Sequence, residues 1–150
     1  MRHLKPFEEF LEDGTMRKMS PDKERAKNLV LEAERKFNSL LESVIKIGIK
    51  DENANDYVEH CYDIIMFLIR ARLYADGYSS SGHGAHEAEV AFARKLKFNE
   101  KETEFLDQLR YFRNRILYYG KRYDKEYAEK VIEFTKKKYP ELRETAKQEI

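Results

Sequence analysis

Apolar residues recur along this chain at steps of three and four, the spacing of helices that each bury one stripe. After Ser20-Pro21-Asp22 the positions Leu29, Ala33, Phe37, Leu40, Leu41, Val44 and Ile45 keep that spacing. Ser20 reads as an N-cap and Pro21 as the first helical residue, so a long helix is predicted from this signal to about Ile47, ended by Gly48. A second helix is predicted from about Asn55 to Ala75, with Tyr57, Cys61, Ile64, Ile65, Leu68, Ala71 and Arg72 on one stripe and Gly77 beyond its end. Its middle is apolar almost all round, which marks it as the central helix. A Gly/Ser-rich loop, Gly77 to Gly84, precedes a shorter helix from Ala85 to Leu96. Asn99 then caps a helix in which Phe105, Leu109, Phe112, Ile116 and Tyr119 form the apolar stripe, and Gly120 stops it. Asp124 opens a last helix through Tyr127, Val131 and Phe134, with Pro140 kinking it or starting a separate terminal turn.

No segment alternates apolar and polar residues over the length of a strand. The expected fold is therefore all-α: an antiparallel, up-down bundle of four long helices plus one or two short ones. Residues 1–19 read as a poorly anchored, partly ordered lead with a helical turn around Pro6 to Leu11, ended by Asp13-Gly14; residues 20–150 read as the single bundle. A chain of 150 residues suits one domain, which buries about two-thirds of the surface of its unfolded form.

Composition narrows the chemistry. Cys61 is the only cysteine, so an intrachain disulfide and a cysteine-based zinc cluster are both excluded. The apolar run Ile64 to Ile69 is cut by Arg70 and Arg72, far short of the roughly 20 residues that span a bilayer. The first eight residues are charged where a signal peptide is apolar, which makes the cytoplasm the default expectation. With 29 basic against 28 acidic side chains there is no global field to draw in nucleic acid, so any such field must be local. Abundant Glu and Lys match a heat-adapted source.

One segment breaks the balance. Residues 110–123 hold five basic side chains and five aromatic rings with no acid among them. Cations crowded near one helix end repel one another, so such a segment needs a counter-charge from acidic neighbours or from an anionic ligand. On a wheel of about 100° per residue centred on the Phe105 to Tyr119 stripe, Arg113 falls some 80° off centre, at the edge of the core with Leu106, Arg110 and Leu117. Asn114 and Tyr118 fall on the opposite flank. Arg110 and Arg113 have two outcomes open: ion pairs with Asp107, Glu59 or Asp63, or a free guanidinium that holds phosphate.

Arg113-Asn114-Arg115 followed by Tyr118-Tyr119-Gly120 resembles the signature of the HEPN superfamily (higher eukaryotes and prokaryotes nucleotide-binding). Its active members carry an arginine followed by a polar residue, with a histidine four to six residues on. The run Leu68 to Tyr78, then His83 to Phe92, is similar to that family's long helix, "GY" dipeptide, polar loop containing His and Ala-rich helix. The likeness covers about residues 22–138.

It implies a metal-independent endoribonuclease of toxin–antitoxin type, or a noncatalytic RNA- or nucleotide-binding bundle, usually a homodimer and often partnered by a nucleotidyltransferase antitoxin. By this resemblance Arg113 holds phosphate, Asn114 positions it, and Tyr119 stands where the catalytic histidine is expected. Arg110, Arg115, Tyr118, Lys121, Arg122 and His83 complete the implied RNA or nucleotide site. Tyrosine is a poor base at pH 7 but hydrogen-bonds and stacks well. A noncatalytic module that pairs with another helical protein is the alternative.

Other candidates are weaker. His83 and His86 stand on the loop and first turn before the third predicted helix, where free backbone N–H groups favour an anion. The loop lacks the Gly-Lys-Ser/Thr of a phosphate-binding loop, and Val90 stands where a zinc protease helix needs its second histidine. No metal and no cofactor is expected. His60 and Cys61 are adjacent on a helix and diverge by about 100°, so they form no nucleophile pair.

Overall fold

The computed structural model describes residues 3–148 and Ile150. The chain is mostly helical. Its α-helices are α1 (Phe7–Glu12), α2 (Lys23–Lys46), α3 (Ala54–Asp76), α4 (Ala85–Phe92), α5 (Glu100–Tyr119) and α6 (Lys125–Lys147). Single 3-10 turns, Asp51–Asn53 and Ala93–Leu96, lead into α3 and follow α4.

Helix α3 is the axis of the molecule. Val58, Cys61, Ile64, Ile65, Met66, Leu68, Ile69 and Ala71 are fully buried, and α2, α4, α5 and α6 all pack on it. Between α2 and α6, Phe37 stacks on Tyr139 with ring centroids 3.7 Å apart, and Arg143 pairs with Glu34. No described helix is long and apolar enough to cross a membrane.

The helix ends follow local chemistry. Asn99 and Glu102 form a capping box at the start of α5, and the Asp124 carboxylate accepts from the Tyr127 N–H at 2.9 Å to start α6. The cap of α2 is Asp22, not Ser20. Its carboxylate accepts from Arg25 N at 3.0 Å, while the proline at 21 disfavours helical backbone at residue 20. Helix α6 runs on through Pro140, because Tyr139 and Leu142 on either side are buried in the core.

Two features depart from the sequence pattern. A short antiparallel ribbon pairs β1 (Met16–Lys18) with β2 (Tyr78–Ser80), Met16 opposite Ser80. The first nineteen residues, expected as a poorly anchored lead, are packed from Leu4 onward: Leu4, Phe7, Phe10 and Met16 are buried. Phe7 meets Phe92 and Tyr78 at 5.0 and 5.2 Å, and the Arg94 guanidinium donates to the carbonyls of Leu4 and Lys5, each at 2.8 Å. Gly77 makes the join possible. Its φ of +84° closes α3, and a Cβ there would lie 2.6 Å from the Met19 carbonyl oxygen.

Candidate functional site

Helix α5 carries the basic segment, and its buried face matches the predicted stripe only in part: Leu109 is fully buried and Phe105 and Ile116 pack on the core half-buried, but Tyr119 is exposed. Thr103, Leu106, Asp107 and Leu109 are its buried residues. The centre of that face lies about 150° round the helix from the line through Phe105, Phe112 and Tyr119. The aromatic line instead turns to α6 and its lead-in: Phe105 packs on Phe134 at 4.4 Å, and Phe112 on Tyr123 and Tyr127 at 5.0 and 5.3 Å. Tyr119, placed on the buried stripe from the sequence, is 80% exposed. Arg110, Arg113 and Asn114 continue the true inner line and face α3 and α4. From Arg110 onward no residue of α5 is buried, so the core ends where the cations begin.

Polar groups fill that gap between α3, α4 and α5. Arg70 on α3 donates from Nε to Glu89 on α4 at 3.0 Å, and the Ser80 hydroxyl donates to the other oxygen of the same carboxylate at 3.0 Å. Arg110 Nε donates to Asp107 at 2.9 Å, fixing the guanidinium one turn from Arg113. Arg113 is held more loosely. Its terminal nitrogen lies 3.8 Å from Asp63, its guanidinium sits 5.3 Å from the Tyr62 ring centroid, and its Nε is buried with no hydrogen-bond partner. The Tyr62 hydroxyl is also buried without a partner, and burial pushes its phenol up to about 12. Glu59, facing the same gap, has its carboxyl raised by burial against the pull of Arg113.

The loop before α4 folds against this part of α5. A cavity of about 330 Å³ opens between them, lined by Gly82, His83, Gly84, Ala85, His86 and Glu87 on one side and Arg110, Asn114 and Tyr118 on the other. His86 is largely exposed, but what burial it has, together with the Arg70, Arg113 and Arg110 guanidinia, outweighs Glu89 and holds its imidazole below the usual histidine range. It is therefore neutral at pH 7 and able to accept a proton. A second cavity, about 360 Å³, adjoins the same loop on the N-terminal segment. There Asp13 pairs with Lys5 at 3.3 Å, so the cation of this cavity is already matched, while Glu87 lines both cavities.

Of the implied site residues, Arg110, Asn114, Tyr118 and His83 come together in the first cavity. Lys121 and Arg122 line a different one, about 550 Å³, with Asp51, Tyr123, Asp124 and Tyr127. Arg113 and Tyr119 line neither. Arg115 donates to the Tyr111 hydroxyl at 3.2 Å. His86, not among the residues drawn from the sequence motif, belongs to the first cavity, and its place in the first turn after the loop is the signal that points to it. Among the described residues no group of three His, Cys, Asp or Glu side chains is placed to hold a metal ion.

No family model matches the sequence, and no curated protein or solved structure matches it either.

Proposed function

We propose that this protein is an RNA- or nucleotide-binding helical bundle of the HEPN type, cytoplasmic and homodimeric, with its long helices in up-down order. Its ligand occupies the cavity between the loop at residues 82–87 and α5. One observation supports this above others: anion donors and an exposed aromatic ring converge there. Arg110 spends only Nε on Asp107, leaving its two terminal nitrogens as donors for a phosphate. Asn114 adds an amide and Tyr118, 75% exposed, a face on which a base can stack. Arg113, one turn along, adds positive charge without facing the cavity directly.

Binding comes first in this proposal and cleavage second. Tyr119 does not line the cavity, and a tyrosine hydroxyl is a weak base at neutral pH. The imidazole of His86, neutral at pH 7, offers the cavity a base. In metal-independent cleavage it would take the proton of a ribose 2′-hydroxyl while that oxygen bonds to the adjacent phosphorus. The 5′-oxygen would leave and take up a proton, giving a 2′,3′-cyclic phosphate.

The test is titration of the full chain with labelled single-stranded RNA and with a nucleoside monophosphate. Asn114→Ala and Tyr118→Ala are the informative variants, since neither side chain supports the core, whereas Arg110→Ala would strand the buried Asp107. Each should weaken binding about tenfold while helical content stays constant. Unchanged affinity in both variants, or no binding by the parent protein, refutes the site. A second function, as a noncatalytic module for a nucleotidyltransferase or other helical partner, draws support from Leu117, Tyr118 and Tyr119, which are exposed together at the end of α5. A stoichiometric protein partner and no RNA affinity would favour it.

A further inference from the structure

We propose that Lys121 and Arg122 form a second phosphate site, presented by Asn55, so that the ligand is a single-stranded oligonucleotide reaching from the α5 cavity past Tyr118 and Tyr119 to the linker before α6. This rests on the function proposed above and extends it to ligand length.

The linker is short, basic and held in place by groups from elsewhere in the chain. Asn55, on the first turn of α3, grips it at two points: its amide nitrogen donates to the Lys121 carbonyl at 2.8 Å, and its amide oxygen accepts from the Tyr123 N–H at 3.0 Å. Asp51 accepts from Lys125 N at 2.8 Å, which pins the start of α6. Both acids of this cavity are thus turned to backbone, Asp51 to Lys125 and Asp124 to Tyr127. Among the described residues neither Lys121 nor Arg122 has an acid within ion-pair distance, and both are exposed. Fixing the backbone on both sides of two unpaired cations lowers the ordering cost of a ligand that needs them.

The path between the two cavities suits a strand. From Arg110 to Tyr119 the helix rises about 13.5 Å, the length of about four nucleotides at the spacing of a stacked strand. Tyr118 and Tyr119, 75% and 80% exposed, stand near the end of that path, and stacking on such rings tolerates any base. At Gly120 a φ of +63° then turns the chain into the basic linker.

The experiment compares a nucleoside monophosphate with a single-stranded RNA hexanucleotide on the full chain, across a range of salt concentrations. The hexanucleotide should bind at least about tenfold more tightly, with a steeper salt dependence. Lys121→Ala/Arg122→Ala should abolish that gain and flatten the slope of log K against log salt by about 0.7 for each phosphate no longer neutralised, leaving the monophosphate unaffected. Asn55→Ala should act in the same direction with helical content retained, and Asn55→Asp, which sets a carboxylate against the Lys121 carbonyl and beside both cations, should lose at least as much. Equal affinity for both ligands, or an unchanged slope in the double variant, overturns the second site and leaves the α5 cavity standing. Absence of binding by either ligand to the parent protein overturns the cavity itself, and this extension with it.

Discussion

Replacing Arg113 with methionine separates what folding requires of α5 from what a ligand requires. The change removes a 3.8 Å contact to Asp63 between side chains that are 20% and 33% exposed. Pairs of that kind contribute about 0.2–1 kcal/mol. It also removes the guanidinium from over the Tyr62 ring at 5.3 Å, about 0.5–1 kcal/mol more. In the other direction, the arginine Nε is buried without a partner, an arrangement that costs about 1–3 kcal/mol and vanishes with the substitution. Methionine keeps an unbranched stem in the same groove. At their central values the opposing contributions cancel to within about 1 kcal/mol, so urea unfolding should give close to the parent stability or slightly more. Binding should behave otherwise. Arg113 adds positive charge beside the cavity without lining it, a contribution of about 0.2–1 kcal/mol, so RNA affinity measured by fluorescence anisotropy should fall by up to about fivefold. A variant destabilised by more than about 2 kcal/mol that binds normally would show the guanidinium to be a structural tie between α5 and α3. A variant indistinguishable from the parent in both assays would remove Arg113 from the site altogether.

Two further outcomes follow from the structure. Gly77→Ala should lose at least about 2 kcal/mol, because left-handed backbone strain of about 1–2 kcal/mol is joined by a 2.6 Å approach to the Met19 carbonyl; Gly48→Ala, at φ +82° with nothing within 4 Å, should show the strain alone. Equal losses in denaturant titrations would contradict this. For His86 the folded state holds the imidazole below its unfolded value, so between that lowered value and about 6.5 the unfolded chain binds more protons. Its contribution to stability is complete above that window and is lost as pH falls through it, while an anionic ligand, which favours the charged ring, should bind more tightly there. His60 is lowered by its own burial and adds to the same trend, so the diagnostic is the difference between parent and His86→Gln; coincident pH profiles would reject the assignment.

Much of the scaffold is legible in the sequence because helix punctuation is local. Gly77 and Gly120 end their helices in left-handed backbone, and Asn99 and Asp124 cap theirs through their own side chains. The ribbon is not legible, since strands of three residues carry no readable alternation, and Met16 is buried by pairing with a segment more than sixty positions away. The anchoring of the N-terminal residues is hidden for the same reason: it depends on Arg94 reaching the carbonyls of Leu4 and Lys5. Asn55 leaves no signal as a clamp, because an asparagine at the start of a helix reads only as a cap. Glu89 does leave one, as a lone acid in the apolar run Ala88 to Phe92 has to find a cation, and Arg70 supplies it.

The mismatch at α5 bears most on function. Its sequence holds two lines of apolar residues that share Leu109, and the aromatic one is the louder, so periodicity alone centres the core face on it. In the structure that line meets α6 and the linker through Phe105 and Phe112, while Leu106 and Leu109 seal the core against α3 and α4. Once the inner line is followed past Leu109, every further position on it is polar or exposed: Arg110, Arg113, Asn114, Leu117. A helix that needed only to finish packing would carry aliphatic residues there, since paired charges in such a place contribute little net stability. What Arg110 and Asn114 provide is a pair of donors at the mouth of a cavity whose opposite wall is a glycine-rich loop. The cost of keeping charges there falls partly on Arg113 Nε and the Tyr62 hydroxyl, both buried without partners beside the cavity. The physical case for an anion at this site therefore lies in the pairing that the protein leaves incomplete, and it holds whether or not the HEPN resemblance does.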